Sequence, residues 1–391
     1  MIGWGKATCE DLVAPAAGIA LLERAVRAAP DNPEPLVRIG HIHVDNYRFA
    51  DAAAAFEAAL RLAPERRDLC LKLATQFVAL QRPAEALALL DTPDSAERYY
   101  LRGCAFAALE QDAEAETAFR AALDADPHHR RACMKLCKIL RETDRMGALL
   151  TLCAWLVAQG VGHAQLLLDW GRALAIAGED DKARRLLFDP ARVTRTILPV
   201  TDGFNDALAG EILANPYPVG EFPLGDEANR GSMRVHHLMG GRQPELVRAL
   251  LTRIRDAIDA RIAAMEVPSG NGFDPWPASL PRSAHLNPWG LIQKRDAYEE
   301  WHTHRGGWLS GVYYVRVPRG VAEADDGRGA LEFGPPPYLA RERPGFLEAR
   351  RYVPQEGVLV LAPSHYHHRT IPSGLDEHRI SLAFDVVPDA P

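Results

Sequence analysis

No stretch of the chain approaches the ~18 consecutive apolar residues of a membrane-spanning helix, so no membrane span is expected. Met1 to Glu10 lacks the apolar core of a secretory signal, and the expected location is cytoplasmic. Positive charge is in deficit: 45 Lys and Arg against 52 Asp and Glu leave a net −7 over 391 residues. That balance offers no long-range attraction to nucleic acid or to an anionic membrane, and neither is an expected partner. Cysteine is sparse, with six residues in the whole chain and no Cys-x-x-Cys. A disulfide framework and the commonest zinc patterns are thereby excluded. Cys133 and Cys137 lie four apart on an expected helix and could share a metal. Otherwise the cysteines read as small core side chains in a reducing compartment.

What is present comes in two styles. The first half is alanine-rich and repeats itself. Leu22-Glu23-Arg24-Ala25-Val26-Arg27-Ala28-Ala29-Pro30 is echoed by the run from Phe56 to Pro64 and again by the run from Phe119 to Pro127. The closing prolines are 34 apart (64 − 30) and then 63 apart (127 − 64), a gap that fits two units, one slightly short. Small residues recur at matching places, Gly40 with Ala52 and Gly103 with Ala115, where paired helices must approach closely. A 34-residue period closed by proline resembles the tetratricopeptide repeat, an α-solenoid of stacked helix hairpins. About five hairpins are expected, ending near residue 190. The boundary is placed between 1–192 and 193–391. The concave face of such an array is either a groove for a peptide or protein, or a scaffold that only packs on the second domain.

After Pro190 alanine gives way to Pro, Gly, Trp and β-branched residues. Leu246, Ala249, Leu250, Ile254 and Ile258 fall at helical spacing and predict an amphipathic helix. Residues 266–288, with five prolines, read as a long loop. Short strands between turns are expected at 289–296, 308–317, 329–334, 357–362 and 379–386, the pattern of a double-sheet jelly roll.

The chemistry concentrates in this second half. In Trp301-His302-Thr303-His304, two histidines two apart in extended chain point the same way. A Gly306-Gly307 turn signal comes next, and then the strand-like Leu309-Ser310-Gly311-Val312-Tyr313-Tyr314-Val315. Two imidazoles on one face at the head of a strand suit a metal. A third can come from His365, His367 or His368. Arg379 sits in Arg379-Ile380-Ser381-Leu382-Ala383-Phe384, where apolar neighbours argue for burial. A buried arginine calls for an anion.

Taken in order, these motifs resemble a bacterial and phage branch of the Fe(II)/2-oxoglutarate-dependent oxygenases, over roughly residues 285–387. The resemblance implies a double-stranded β-helix fold, with Fe(II) and 2-oxoglutarate as cofactors and O2 as co-reactant. It implies His302 and His304 as the first two ligands and His368, four residues before Pro372, as the distal one. It also implies Arg379 as the anchor of the cosubstrate carboxylate, with Ser381 and Tyr314 beside it. His365, His367, Asn287 and Gln293 would supply further donors around the metal or contacts to substrate. The chain departs from the commoner His-x-Asp or His-x-Glu by placing His304 second. A carboxylate could instead come from Asp296, Glu299, Glu300 or Glu332. The expected activity is hydroxylation of a peptide or protein docked with help of the repeats. Two alternatives stand beside it: a three-histidine, cupin-like enzyme using O2 without 2-oxoglutarate, and a non-enzymatic interaction protein with a degenerate oxygenase domain.

Overall fold

The computed structural model describes residues 2–4, 15–91, 95–216, 218–219, 228–265, 274–321 and 323–389. Part of the expected loop at 266–288, residues 266–273, lies outside them, as does Cys9. By its contacts the chain divides into two units, residues 11–144 and residues 145–391 together with 1–10. Among the described residues no helix is long and apolar enough to cross a membrane.

The 11–144 unit is helical. It contains α1 (Pro15–Ala28), α2 (Glu34–Asp45), α3 (Phe49–Leu62), α4 (Arg67–Ala79), α5 (Pro83–Ala88), α6 (Ala96–Ala108), α7 (Asp112–Ala125) and α8 (Arg130–Glu142). The hairpins α2–α3 and α6–α7 share one device. A Cβ at Gly40 would come within 2.5 Å of the Phe56 ring, and one at Gly103 within 2.6 Å of the Phe119 ring. Both pairs are 16 apart (56 − 40 and 119 − 103), so the period is set where one helix backbone receives the next helix's aromatic ring. Ala52 and Ala115 are fully buried at the same approach.

The turns carry the same rhythm. Tyr47, Gln81, Glu110 and Asp144 are non-glycine residues with left-handed backbone, φ between 55 and 59°. The spacings are 34 (81 − 47), 29 (110 − 81) and 34 (144 − 110), so the short unit is the one that ends in the six-residue α5. Gly178 continues the series another 34 residues on (178 − 144), in the other unit.

The unit of 145–391 and 1–10 opens with β1 (Gly3–Trp4), α9 (Met146–Ala158), α10 (Ala164–Ile176) and α11 (Asp180–Leu187). Next come β2 (Thr194–Ile197), α12 (Phe204–Leu213), β3 (Pro218–Val219), β4 (Asn229–Arg230), β5 (Met233–Val235), α13 (Pro244–Ala263) and α14 (Pro275–Ala278). The remaining elements are β6 (Ser283–Gln293), β7 (Tyr298–Glu299), β8 (Leu309–Arg316), β9 (Leu331–Phe333), α15 (Pro337–Glu342), β10 (Arg350–Tyr352), β11 (Val358–Pro363), β12 (His368–Thr370) and β13 (Arg379–Pro388). The major sheet runs β2-β11-β8-β13-β6-β5-β3, with β1 paired in parallel beside β6. A three-stranded sheet, β10-β9-β12, accompanies it.

Between the two sheets lies one apolar cluster. Tyr314, Val358, Val360 and Ala362 of the major sheet meet Leu331 and Phe333 of the minor one, with Tyr366 and Phe188. This apolar layer joins the two sheets of a strand-rich, curled domain, within the expected α+β class. The expected strands are present, but β6 begins at Ser283 rather than 289. Helix α13 buries Leu250, Ile254 and Ile258 as expected, with Val247 and Leu251 buried beside them while Leu246 and Ala249 are half-buried. The cysteines with described side chains form no disulfide, and Cys133, Cys137 and Cys153 are buried.

Candidate metal centre

Backbone pairing assembles the site. His302 and His368 form an antiparallel bridge, each amide donating to the other's carbonyl at 3.0 Å. His304 then donates its amide to Ser364 O at 3.0 Å. Residues 302–304 and 364–368 therefore run side by side although about sixty residues separate them in sequence. Trp276 and Trp308 stack at 4.8 Å, and each indole N–H donates to the other's carbonyl, at 2.9 and 3.1 Å. That reciprocal pair fixes the head of β8.

Each imidazole is oriented through Nδ1. In His302 it lies 2.7 Å from Glu300 O, in His368 3.0 Å from Tyr366 O, and in His304 2.5 Å from Asp385 Oδ1. Carbonyl and carboxylate oxygens only accept, so each Nδ1 carries the proton and each Nε2 presents a lone pair. His302 Nε2 and His304 Nε2 face one another at 3.2 Å. Two lone pairs that close repel unless a proton or a cation lies between them. One ligand atom from each of His302, His304 and His368 falls within 4.8 Å of the others. Among the described residues this is the single group of three or more His, Cys, Asp or Glu side chains close enough to hold a metal ion, and no carboxylate belongs to it. Burial, aided by the neighbouring imidazoles, pushes the His368 pKa well below the usual histidine range. Burial acts the same way on His304, but the Asp385 charge and hydrogen bond outweigh it, and its pKa is raised.

The histidines open into a pocket of about 700 Å³, including space open to solvent. Its walls obey strand alternation. Asp385 lies opposite Ser310, Ala383 opposite Val312 and Ser381 opposite Tyr314 on β8. Arg379 lies opposite Gln293, Ser381 opposite Leu291 and Ala383 opposite Trp289 on β6. Arg379, Ser381 and Tyr314 are 2–3 % exposed and line the pocket together. The Arg379 guanidinium donates through Nε to Gln293 Oε1 at 3.0 Å, again to that oxygen through Nη2, and through Nη1 to Gly329 O. These acceptors are all neutral. Burial lowers the Arg379 pKa, with Tyr314 and Glu299 working in the other direction. Burial pushes the Tyr314 phenol up to about 12.

The other candidates divide. Gln293 belongs to the pocket: its Nε2 donates to Ser232 Oγ at 3.0 Å and Thr370 Oγ1 at 3.3 Å, which aims its oxygen at Arg379. His365 does not line it. Its Nε2 lies 2.8 Å from Leu186 O, and burial lowers its pKa to about 3. His367 also stays outside the lining, and burial lowers its pKa to about 4. Asn287 is exposed near the outer end of β6. Of the four carboxylates considered, Glu299 pairs with Arg234 at 2.9 Å, Glu332 with Arg351 and Arg369, and Glu300 with Tyr298 OH, while Asp296 is exposed. Asp385 was not singled out from sequence. The available signal was its place on the Arg379-Ser381-Ala383 face of β13, a lone acid in an apolar strand.

Comparison with known proteins bears on both halves. Residues 287–385 match the family described as "Putative 2OG-Fe(II) oxygenase", and residues 96–129 match the tetratricopeptide repeat. The chain thus carries one segment similar to that oxygenase family and another similar to the tetratricopeptide repeat. The oxygenase match covers about a quarter of the chain, from the outer end of β6 to Asp385. No curated protein sequence matches. Among solved structures, MamA of Desulfovibrio magneticus RS-1 is similar at 24% identity over 34% of this chain and 77% of that one, with a TM-score of 0.32. PilW, a type IV pilus biogenesis factor, is similar at 20% identity over 44% of this chain and 82% of that one, with a TM-score of 0.38. YrrB, described as a tetratricopeptide protein with an unusual peptide-binding site, is similar at 18% identity over 42% and 88%, with a TM-score of 0.33.

Proposed function

We propose that this chain is an Fe(II)- and 2-oxoglutarate-dependent dioxygenase that hydroxylates a peptide or protein substrate. The observation that carries the reading is one pocket holding three converging imidazoles and a buried arginine with neutral partners. His302, His304 and His368 would hold Fe(II) through Nε2, since each Nδ1 is already committed. When bound, the iron with 2-oxoglutarate and O2 supplies the oxidising chemistry, which leaves succinate and CO2 and places one oxygen atom on the substrate.

The chain's own groups bind, orient and exclude water. Arg379 offers a planar fork to the far carboxylate of the cosubstrate. Gln293 holds that fork in plane, and Ser381 and Tyr314 add hydroxyls at the same end. Leu291, Val312, Leu331, Phe333 and Val360 keep the pocket apolar, which strengthens the charge pairing inside it. The pairing of oxygenase and repeat matches supports a macromolecular substrate, with the repeats assisting its docking.

The absence of a carboxylate from the ligand cluster of the described residues favours one second reading, a three-histidine enzyme that uses O2 without 2-oxoglutarate. Anaerobic addition of Fe(II) and 2-oxoglutarate separates the two. The proposal expects a visible metal-to-ligand charge-transfer band. It further expects Arg379→Ala to raise the 2-oxoglutarate requirement on the order of a hundredfold or more, because losing one partner of a buried pair costs about 3–5 kcal/mol. Iron uptake without the band supports the three-histidine reading. No iron uptake leaves an interaction protein.

A further inference from the structure

We propose that Asp385 supplies, from behind His304, the negative charge that a carboxylate ligand supplies directly in the commoner His-x-Asp arrangement. The inference rests on the reading of His302, His304 and His368 as metal ligands. Asp385 is then a positioning residue that acts on the metal through the imidazole.

The three imidazoles are not equivalent. His302 and His368 lean on neutral backbone carbonyls, those of Glu300 and Tyr366. His304 leans on a carboxylate, at 2.5 Å, and both side chains are 13 % exposed. The histidine backed by charge is the one in the position where a carboxylate is commoner. Asp385 is itself held in place. Ser310 Oγ donates to the same Oδ1 at 2.6 Å, and Ser364 Oγ lies 2.7 Å from Ser310 Oγ. Ser364 O receives the His304 amide, so the chain of contacts closes on the imidazole's own backbone. Gly307 makes room for it: a Cβ there would fall 2.5 Å from Ser364 Oγ and 3.2 Å from Asp385 Cβ. The other charges near His304 belong to Arg234 and Glu299, which offset one another as a pair at 2.9 Å. A carboxylate accepting from Nδ1 raises the basicity of Nε2 and fixes the ring, which strengthens its hold on a cation. The three-histidine set then faces a divalent ion with one negative charge behind it, as a two-histidine, one-carboxylate set does.

The test is a double-mutant cycle read by metal affinity, with Co(II) or anaerobic Fe(II) alone titrated into the full chain. Asp385→Asn is expected to weaken binding about 10–100-fold. In the His304→Asp background the metal would have a direct carboxylate, and Asp385 would stand beside it as a like charge. There Asp385→Asn is expected to leave affinity unchanged or improve it. A merely structural role would give the same loss in both backgrounds, and that outcome overturns the inference. So does undiminished affinity in Asp385→Asn. Should Asp385→Asn fail to fold, Asp385→Ser takes its place: it also removes the charge, and the same loss of about 10–100-fold is expected with His304 present and no loss in the His304→Asp background. Equal losses of Asp385→Ser in both backgrounds overturn the inference. If the unchanged protein binds neither ion, the metal reading itself fails and takes this inference with it.

Discussion

Hairpins α2–α3 and α10–α11 are built alike and end differently. In the first, Gly40 receives Phe56, and in the second Gly171 receives Leu187 at the same interval of 16 residues (187 − 171). After α3 the chain turns into the next repeat. After α11 it enters the sheet core. Phe188 stacks on Phe333 at 6.1 Å and meets Tyr366 edge-on at 5.6 Å. Asp189 N donates to Tyr366 OH at 3.0 Å, and Leu186 O bonds His365. The same hairpin design is thus a stacking element in one unit and, in the other, packs on the apolar cluster that backs the candidate site. What decides between them is the four residues Leu186 to Asp189.

The largest effect expected from this difference is on truncation. A fragment beginning at residue 195 lacks Phe188 and leaves Tyr366 and His365 without their partners. It is expected to show no cooperative thermal transition and no Fe(II) binding. A fragment of 145–391 keeps them and is expected to show both. A folded, iron-binding 195–391 fragment would break the comparison outright.

Substituting single aromatics sharpens it. Phe119→Ala and Phe188→Ala should each cost about 3–5 kcal/mol, the usual range for a buried phenylalanine. Phe188→Ala should also weaken metal binding, because Phe333, on which Phe188 stacks, contacts His368 at 5.4 Å. Phe119→Ala should leave metal binding unchanged. Denaturant unfolding beside an anaerobic Fe(II) titration measures both, and equal effects on metal binding would remove the distinction.

Legibility in the sequence differed between the units for a physical reason. The repeats were readable because the alanine-rich runs closed by Pro30, Pro64 and Pro127, and the small pairs Gly40 with Ala52 and Gly103 with Ala115, recur at spacings that fit a unit of about 34 residues. Long strands were readable through alternation, and alternation also set Arg379, Ser381 and Gln293 on the pocket face. Strands of three or four residues, such as β9, β10, β12 and β2, carry too few positions for a period, so only the first of these was expected. His302, His304 and His368 were legible as ligand types. His365 was not separable from them, because residues 364–367 turn before β12 and alternation fails in a turn. Asn287 has the pocket-facing phase but lies beyond the pocket's end. Asp385 has the same phase and lies within reach of His304.

The next effect is smaller and tests the contact with α11 through pH. His365 is held neutral by burial, with its pKa lowered to about 3 although its bond to Leu186 O works in the other direction. The unfolded chain takes up a proton near the usual histidine pKa that the folded chain refuses. Stability is therefore lost as pH falls below ~6.5, by about 2 kcal/mol at pH 5 from this residue. His367, lowered to about 4, acts in the same sense. His304, raised, acts oppositely: the folded state holds its proton to higher pH. His365→Asn should flatten the fall in unfolding free energy between pH 7 and 5. An unchanged slope would mean that His365 is not the neutral group lodged against α11.

The smallest effect concerns the turns that the two units share. Glu110 is exposed with φ 59°, while Gly178 fills the corresponding turn of α10–α11 with φ 79°. A non-glycine residue in this conformation carries a strain of about 1–2 kcal/mol. Replacing it with glycine removes that strain but adds about 0.5–1 kcal/mol of chain entropy lost on folding. Glu110→Gly should therefore stabilise the repeats by about 0.5–1 kcal/mol. Gly178→Ala runs the exchange backwards and should destabilise its own unit by a similar amount, since nothing lies within 4 Å of a Cβ built there. Thermal unfolding of the two variants checks the pair. If Glu110→Gly lowers stability instead, the Glu110 side chain contributes more than its backbone costs, and the two turns are equivalent in position but not in energetics.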